Sequence, residues 1–155
     1  MRIPNLGDGL TRRQMIVSVS AAAFAAMVPA SALGGVAEVD AVVQKLIAGR
    51  KVKPGGIKLE LPEIAENGAT VPLTVSMDSP MTAADHVTKM HFFAEGNPNP
   101  ELASFNFTPR SGVAKASIRI RLAKTQNIVA VAETSDGSVY VSKAQVKVTI
   151  GGCGG

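Results

Sequence analysis

The apolar positions of this chain change period once, and the change divides the chain. Val36, Val39, Val42, Val43, Leu46 and Ile47 recur at the spacing of one helical face. They predict a short amphipathic helix over Val36–Ala48, which Gly49 can terminate. Its apolar stripe predicts packing on the same domain, with docking of a partner as the alternative. After Pro54-Gly55-Gly56 the period becomes two, predicting strands at Ile57–Leu61, Val71–Met77, Val87–Glu95, Leu102–Thr108, Val113–Leu122, Asn127–Thr134 and Val139–Ile150. Val71, Leu73, Val75 and Met77 alternate with Pro72, Thr74 and Ser76, and Ile118, Ile120 and Leu122 oppose Arg119 and Arg121. Such alternation predicts antiparallel sheets, each covered on one face.

Turn signals separate the runs: Glu66-Asn67-Gly68, Asp78-Ser79-Pro80, Asn97-Pro98-Asn99-Pro100, Arg110-Ser111-Gly112 and Ser135-Asp136-Gly137. About seven short strands at this spacing predict an all-β fold, an immunoglobulin-like antiparallel β-sandwich. A barrel would share the periodicity. In the last strand Val139 and Val141 have one parity and Val146, Val148 and Ile150 the other. A bulge between Ser142 and Gln145 would bring both sets to one core.

The amino terminus has a different pattern. Arg12-Arg13 precede an apolar stretch, Ile16 to Val28, and then Pro29-Ala30-Ser31-Ala32. A charged start, a short apolar run and a small-residue exit define a secretory signal over residues 1–32, with cleavage expected after Ala32. Arg12 and Arg13 make it similar to a twin-arginine signal, although Met15 and Val17 stand where Phe and Lys are common. The run is shorter than the roughly 20 residues of a membrane span, so no stable membrane insertion is expected; an uncleaved anchor is the alternative. The expected location is periplasmic, reached in a folded state.

The 155 residues suffice for one domain, the β-sandwich placed at 33–150 with its helix. Of the formal charge of +4, half lies in the first 32 residues, where Arg2, Arg12 and Arg13 face Asp8. A body this close to neutral has no electrostatic footprint for nucleic acid or anionic membrane. His86 and His91 are the two histidines, and five residues apart in an extended stretch they make a poor metal pair. No metal and no cofactor are expected. Glu60, Glu63 and Glu66 read as a solvated edge.

The candidate chemistry lies at the other end. The single cysteine, Cys153, sits in Gly151-Gly152-Cys153-Gly154-Gly155. One cysteine cannot close an internal disulfide, and one left over in an exported chain suggests intermolecular pairing or a reactive thiol. Glycine on both sides predicts a flexible arm over 151–155 that carries the sulfur roughly 10 Å beyond the last strand. On this reading, valines at Gly151 and Gly152 would impair threading into partner sites and change stability by less than ~0.5 kcal/mol. The tail supplies no base or cation to lower the thiol pKa from about 8.5. Cys153 is therefore expected to be a covalent attachment point on a protein with no catalytic residues of its own.

The ending Val148-Thr149-Ile150-Gly151-Gly152-Cys153-Gly154-Gly155 resembles that of the SoxY family, the sulfur-carrying subunit of the SoxYZ thiosulfate-oxidation carrier. Leu61–Gly68, Val75–Met81 and Arg119–Ala123 also resemble it. The resemblance implies an immunoglobulin-like sandwich in a heterodimer with a SoxZ-like subunit, and sulfur intermediates held covalently on Cys153. It further implies a SoxXA-type cytochrome that conjugates thiosulfate to the cysteine and a SoxB-type hydrolase that releases sulfate. A SoxCD-type sulfane dehydrogenase would oxidise the remaining sulfur. Two rival readings are a carrier bearing sulfur as a thiocarboxylate on Gly155 and a structural immunoglobulin-like adaptor.

Overall fold

The computed structural model of the protein describes residues 34–152. Within them α1 spans Gly34–Ile47 and is followed by β1 (Val52–Pro54), β2 (Ile57–Glu60), β3 (Ile64–Asn67), β4 (Val71–Met77), β5 (Val87–Ala94), β6 (Glu101–Asn106), β7 (Ala114–Ile120), β8 (Gln126–Thr134) and β9 (Val139–Ile150). The fold is an immunoglobulin-like sandwich. Its larger sheet runs β1-β9-β8-β5-β6, with β3 also on β9, and its smaller sheet runs β2-β4-β7.

The seven expected strands are present, with ends shifted by at most two residues. Two more were not expected. β1 and β3 are short and pair with opposite ends of β9, Val52 opposite Val139 and Asn67 opposite Ile150. Both pairings are parallel, so the sheet is not wholly antiparallel. β1 ends in Pro54 and β3 contains Glu66 and Asn67, which read as turn residues; the exposed edge of β9 supplies their order.

The expectation of one covered face holds for β4, where Val71, Leu73 and Val75 are each about 1% exposed while Pro72 is exposed. It fails for β5 and β8, which are buried on both faces. Met90, Phe92, Ala94, Ile128, Ala130 and Ala132 point into the sandwich. Phe93, Val129 and Val131 point the other way and pack under Val39 and Val43 of α1. The helix thus covers its own domain, as expected, although Val36 stays 39% exposed. Each large aliphatic side chain buried here contributes on the order of 1.5–3 kcal/mol of apolar transfer.

These two cores also explain the parity change in β9, without a bulge. The β8–β9 ladder runs in unbroken register from Glu133 opposite Val139 to Gln126 opposite Val146. Val139 and Val141 face α1, whereas Val146 and Val148 face the sandwich. One straight strand serves a different core on each face, so the expected bulge between Ser142 and Gln145 is absent.

Beyond the helix-side core a polar cluster seals the sheet. The Glu133 carboxylate pairs with Arg50 and lies 3.0 Å from His91 Nε2, while His91 Nδ1 lies 2.8 Å from Ser104 Oγ. Burial pushes the Glu133 pKa up, but the hydrogen bonds to Arg50 and His91 outweigh it and hold the group below its ordinary value. A depressed folded pKa stabilises the protein above the unfolded value of about 4.3, and that contribution is lost as pH falls through the folded value. Glu133→Gln should therefore cost roughly 1–2 kcal/mol at pH 7. The gap from wild type should narrow in urea melts below about pH 4. A gap independent of pH would show that the charge is not what stabilises.

Candidate functional site

The arm leaves the domain at the end of β9, and its first two residues are held in place. β3 runs parallel to β9 with Asn67 opposite Ile150, which brings Gly68 beside the arm. The Gly68 amide donates to Ile150 O at 2.7 Å, the Leu122 amide to Gly68 O at 2.8 Å, and the Gly152 amide to Leu122 O at 2.9 Å. The Leu122 residue thus links the turn after β3 to the arm through main-chain bonds alone. Asn67 Oδ1 accepts from the Ala69 amide at 2.8 Å and shapes that turn.

Close approach explains three of the glycines. A Cβ on Gly151 would lie 2.2 Å from Ala123 O, and one on Gly152 would lie 2.8 Å from Ala69 Cα and N. A Cβ on Gly68 would lie 2.2 Å from Leu122 O and 2.8 Å from Gly152 N. The expectation that a free arm begins at Gly151 is corrected: Gly152 is buried and its amide is bonded. Cys153, Gly154 and Gly155 lie outside the described residues, as do Arg12 and Arg13 of the expected export signal. Gly68, Leu122 and Ala123 are not among the site residues expected from sequence; they enter there as a turn residue, an apolar strand position and parts of the family-like segments Leu61–Gly68 and Arg119–Ala123. The Asn67-Gly68 pair carried a signal, that of a turn.

A cleft of about 370 Å³ opens beside the seat, bordered by Glu95, Gly96, Asn97, Ala123 and Lys124. Its carboxylate is already committed: Glu95 Oε2 accepts from Asn127 Nδ2 at 2.7 Å, and Oε1 faces Lys143 Nζ as an ion pair. Arg121 and Lys124, on either side of Leu122-Ala123, are exposed. His91 lies in the Glu133 cluster described above, and the His86 amide donates to Ser135 Oγ at 3.1 Å. Among the described residues no three His, Cys, Asp or Glu gather to hold a metal ion, and no helix is long and apolar enough to cross a membrane. The groups that hold Gly152 and Gly68 in this seat are main-chain amides and carbonyls.

Comparison with curated protein sequences returned no match. Among solved structures, the sulfur carrier protein SoxY from Chlorobium limicola f. thiosulfatophilum is similar at 35% identity and a TM-score of 0.61, covering 74% of this chain and 98% of that one. Superoxide reductase (neelaredoxin) from Ignicoccus hospitalis is similar at 21% identity and a TM-score of 0.54, covering 70% of this chain and 86% of that one. A putative superoxide reductase from Thermotoga maritima is similar at 18% identity and a TM-score of 0.51, covering 64% and 86%. The two reductases share the fold alone. The model of the family described as sulfur oxidation protein SoxY matches residues 43–153, from the C-terminal part of α1 through Cys153. On that match, with the single cysteine of the sequence set between glycine pairs at 151–155, the chain belongs to the SoxY family.

Proposed function

We propose that this protein is a periplasmic sulfur carrier, exported through its Arg12-Arg13 signal, that holds sulfur-oxidation intermediates covalently on Cys153. The observation that carries the reading is positional. The one thiol of the chain follows directly on a buried, hydrogen-bonded Gly152, inside the family-matched region. A nucleophile for use in its own pocket would need a base and a substrate cavity around it. A thiol that directly follows the anchored Gly152 suits visits to sites on other proteins.

In the proposed cycle the Cys153 thiolate and thiosulfate lose two electrons to a SoxXA-type cytochrome. A sulfur–sulfur bond forms, giving a cysteine S-thiosulfonate. Water then attacks the sulfonate sulfur in a SoxB-type hydrolase; the bond to the sulfane sulfur breaks, sulfate and two protons leave, and a persulfide remains. A SoxCD-type dehydrogenase is proposed to oxidise that sulfane sulfur while it stays on Cys153: three waters supply the oxygens, the dehydrogenase takes up six electrons, six protons leave, and a cysteine S-sulfonate results. This chain contributes the attachment atom and its placement, and the partners contribute the chemistry. The unpaired outer edges of β2, β6 and β7 among the described residues leave surface on which a SoxZ-like subunit can dock.

Intact mass of the protein from cells grown on thiosulfate tests the reading. Wild type should carry adducts that a reductant removes, localised by fragmentation to the Cys153 sulfur. Cys153→Ser should carry none. Adducts that persist in the serine variant, or that map to the Gly155 carboxylate, would replace this reading with the thiocarboxylate one.

A further inference from the structure

The seat of the arm is itself held by two buried polar side chains from elsewhere in the chain. Residues 121–125 lie between β7 and β8 and have no strand ladder of their own. Asn97, at the start of the β5–β6 connection, is 4% exposed, and Gln126 is 6% exposed. Asn97 Nδ2 donates to Arg121 O at 2.8 Å, and Asn97 Oδ1 accepts from the Ala123 amide at 3.0 Å and from Gln126 Nε2 at 2.8 Å. Gln126 Nε2 also donates to Lys124 O at 3.1 Å, while its Oε1 accepts from the Gly96 amide at 2.6 Å.

The bonding alternates along this segment. Arg121 O, Ala123 N and Lys124 O are taken up by Asn97 and Gln126, whereas Leu122 N and O are taken up by Gly68 and Gly152. Buried amides of this kind are kept where every bond is satisfied, because losing one strands the others.

We propose that Asn97, buttressed by Gln126, is a positioning residue for the carrier arm: it fixes the Arg121–Lys124 segment so that Leu122 O holds Gly152 and Ala123 O lies against Gly151. The point from which Cys153 follows is thereby set by side chains of the β5–β6 connection and of β8. A root that is already ordered leaves fewer residues to immobilise at each encounter with a partner enzyme, which favours binding. The functional half of this inference rests on the carrier reading above.

The test uses the full chain with Asn97→Ala and, as a milder variant, Gln126→Met. Hydrogen exchange reads the Gly152 and Gly68 amides against Phe92 and Val131 in the two cores. Loading of Cys153 with thiosulfate by the purified conjugating enzyme is followed by intact mass. In Asn97→Ala the Gly152 amide should exchange at least tenfold faster, by a larger factor than the core amides. The KM for the carrier should rise several-fold with kcat little changed, and alkylation of Cys153 by iodoacetamide should keep its rate. Gly152 exchange within twofold of wild type in the folded variant would overturn the proposal. If Asn97→Ala does not fold, Gln126→Met decides by the same two readouts. Faster Gly152 exchange with unaltered loading would overturn the positioning role and leave a purely structural network. Failure of the wild type to load would count against the carrier reading, and exchange at Gly152 would still report on the seat.

Discussion

Valines at both Gly151 and Gly152 should unseat the arm and lower stability by about 1–3 kcal/mol. The Cβ at position 151 would stand 2.2 Å from Ala123 O, and that at position 152 would stand 2.8 Å from Ala69 main-chain atoms. A clash with a flexible side chain can be relieved by rotation, but these neighbours are backbone. Ala123 is further fixed by Asn97 through its amide. The arm is the element free to move, and moving it breaks the bond from the Gly152 amide to Leu122 O. Thermal melting should fall by several degrees, since 1 kcal/mol shifts a domain of this size by roughly 4 °C. A change below ~0.5 kcal/mol is what a free tail would give and would show that the root is not seated in solution. Sulfur turnover in this double variant would fall for two reasons at once, loss of the seat and added bulk in the arm. Threading into partner sites is therefore better tested by bulk at Gly154 and Gly155.

The fold was legible where local pattern and tertiary environment coincide. Alternation in Val71–Met77 marks a strand because one face meets the core and the other meets water, and β4 has those bounds. The helix stripe was legible for the same reason, and Gly49 adopts the positive φ of 72° that its place after the helix requires. Legibility failed where order comes from distant chain. β1 and β3 have few apolar residues and exist because β9 offers them an edge. The parity change in β9 looked like a register fault, because periodicity does not say that a sheet has a core on each face. Gly151 and Gly152 read as conformational freedom in the sequence, while the folded chain uses them for close approach. No local pattern distinguishes the two uses, because the atoms that crowd Gly151 and Gly152 come from Ala123 and Ala69. Asn97 read as a turn residue, which it is, and its side-chain partners lie 24 to 29 positions away.

Leu122→Ala should be the most damaging single change near the site, because one residue joins the sandwich core to the arm. Its side chain is fully buried within that core, and its main chain bonds Gly68 on one side and Gly152 on the other. Truncation removes three buried carbons and leaves a cavity, at a cost of about 2–5 kcal/mol. The loss should not stop at the core. With its anchor shortened the Leu122 peptide can shift, so the Gly152 amide should lose hydrogen-exchange protection along with the Gly68 amide. Leu122→Met separates the two effects: it nearly conserves volume, should cost less than ~1.5 kcal/mol, and should leave Gly152 protected. Phe92→Ala is the matching control. It removes a fully buried ring that packs against Phe105 at a centroid distance of 5.9 Å, at about 3–5 kcal/mol, without a main-chain bond to the arm. At equal loss of stability, Leu122→Ala should expose the Gly152 amide more than Phe92→Ala does. Equal exposure in the two would mean that the arm follows global stability alone, and that the Leu122 peptide does not hold it.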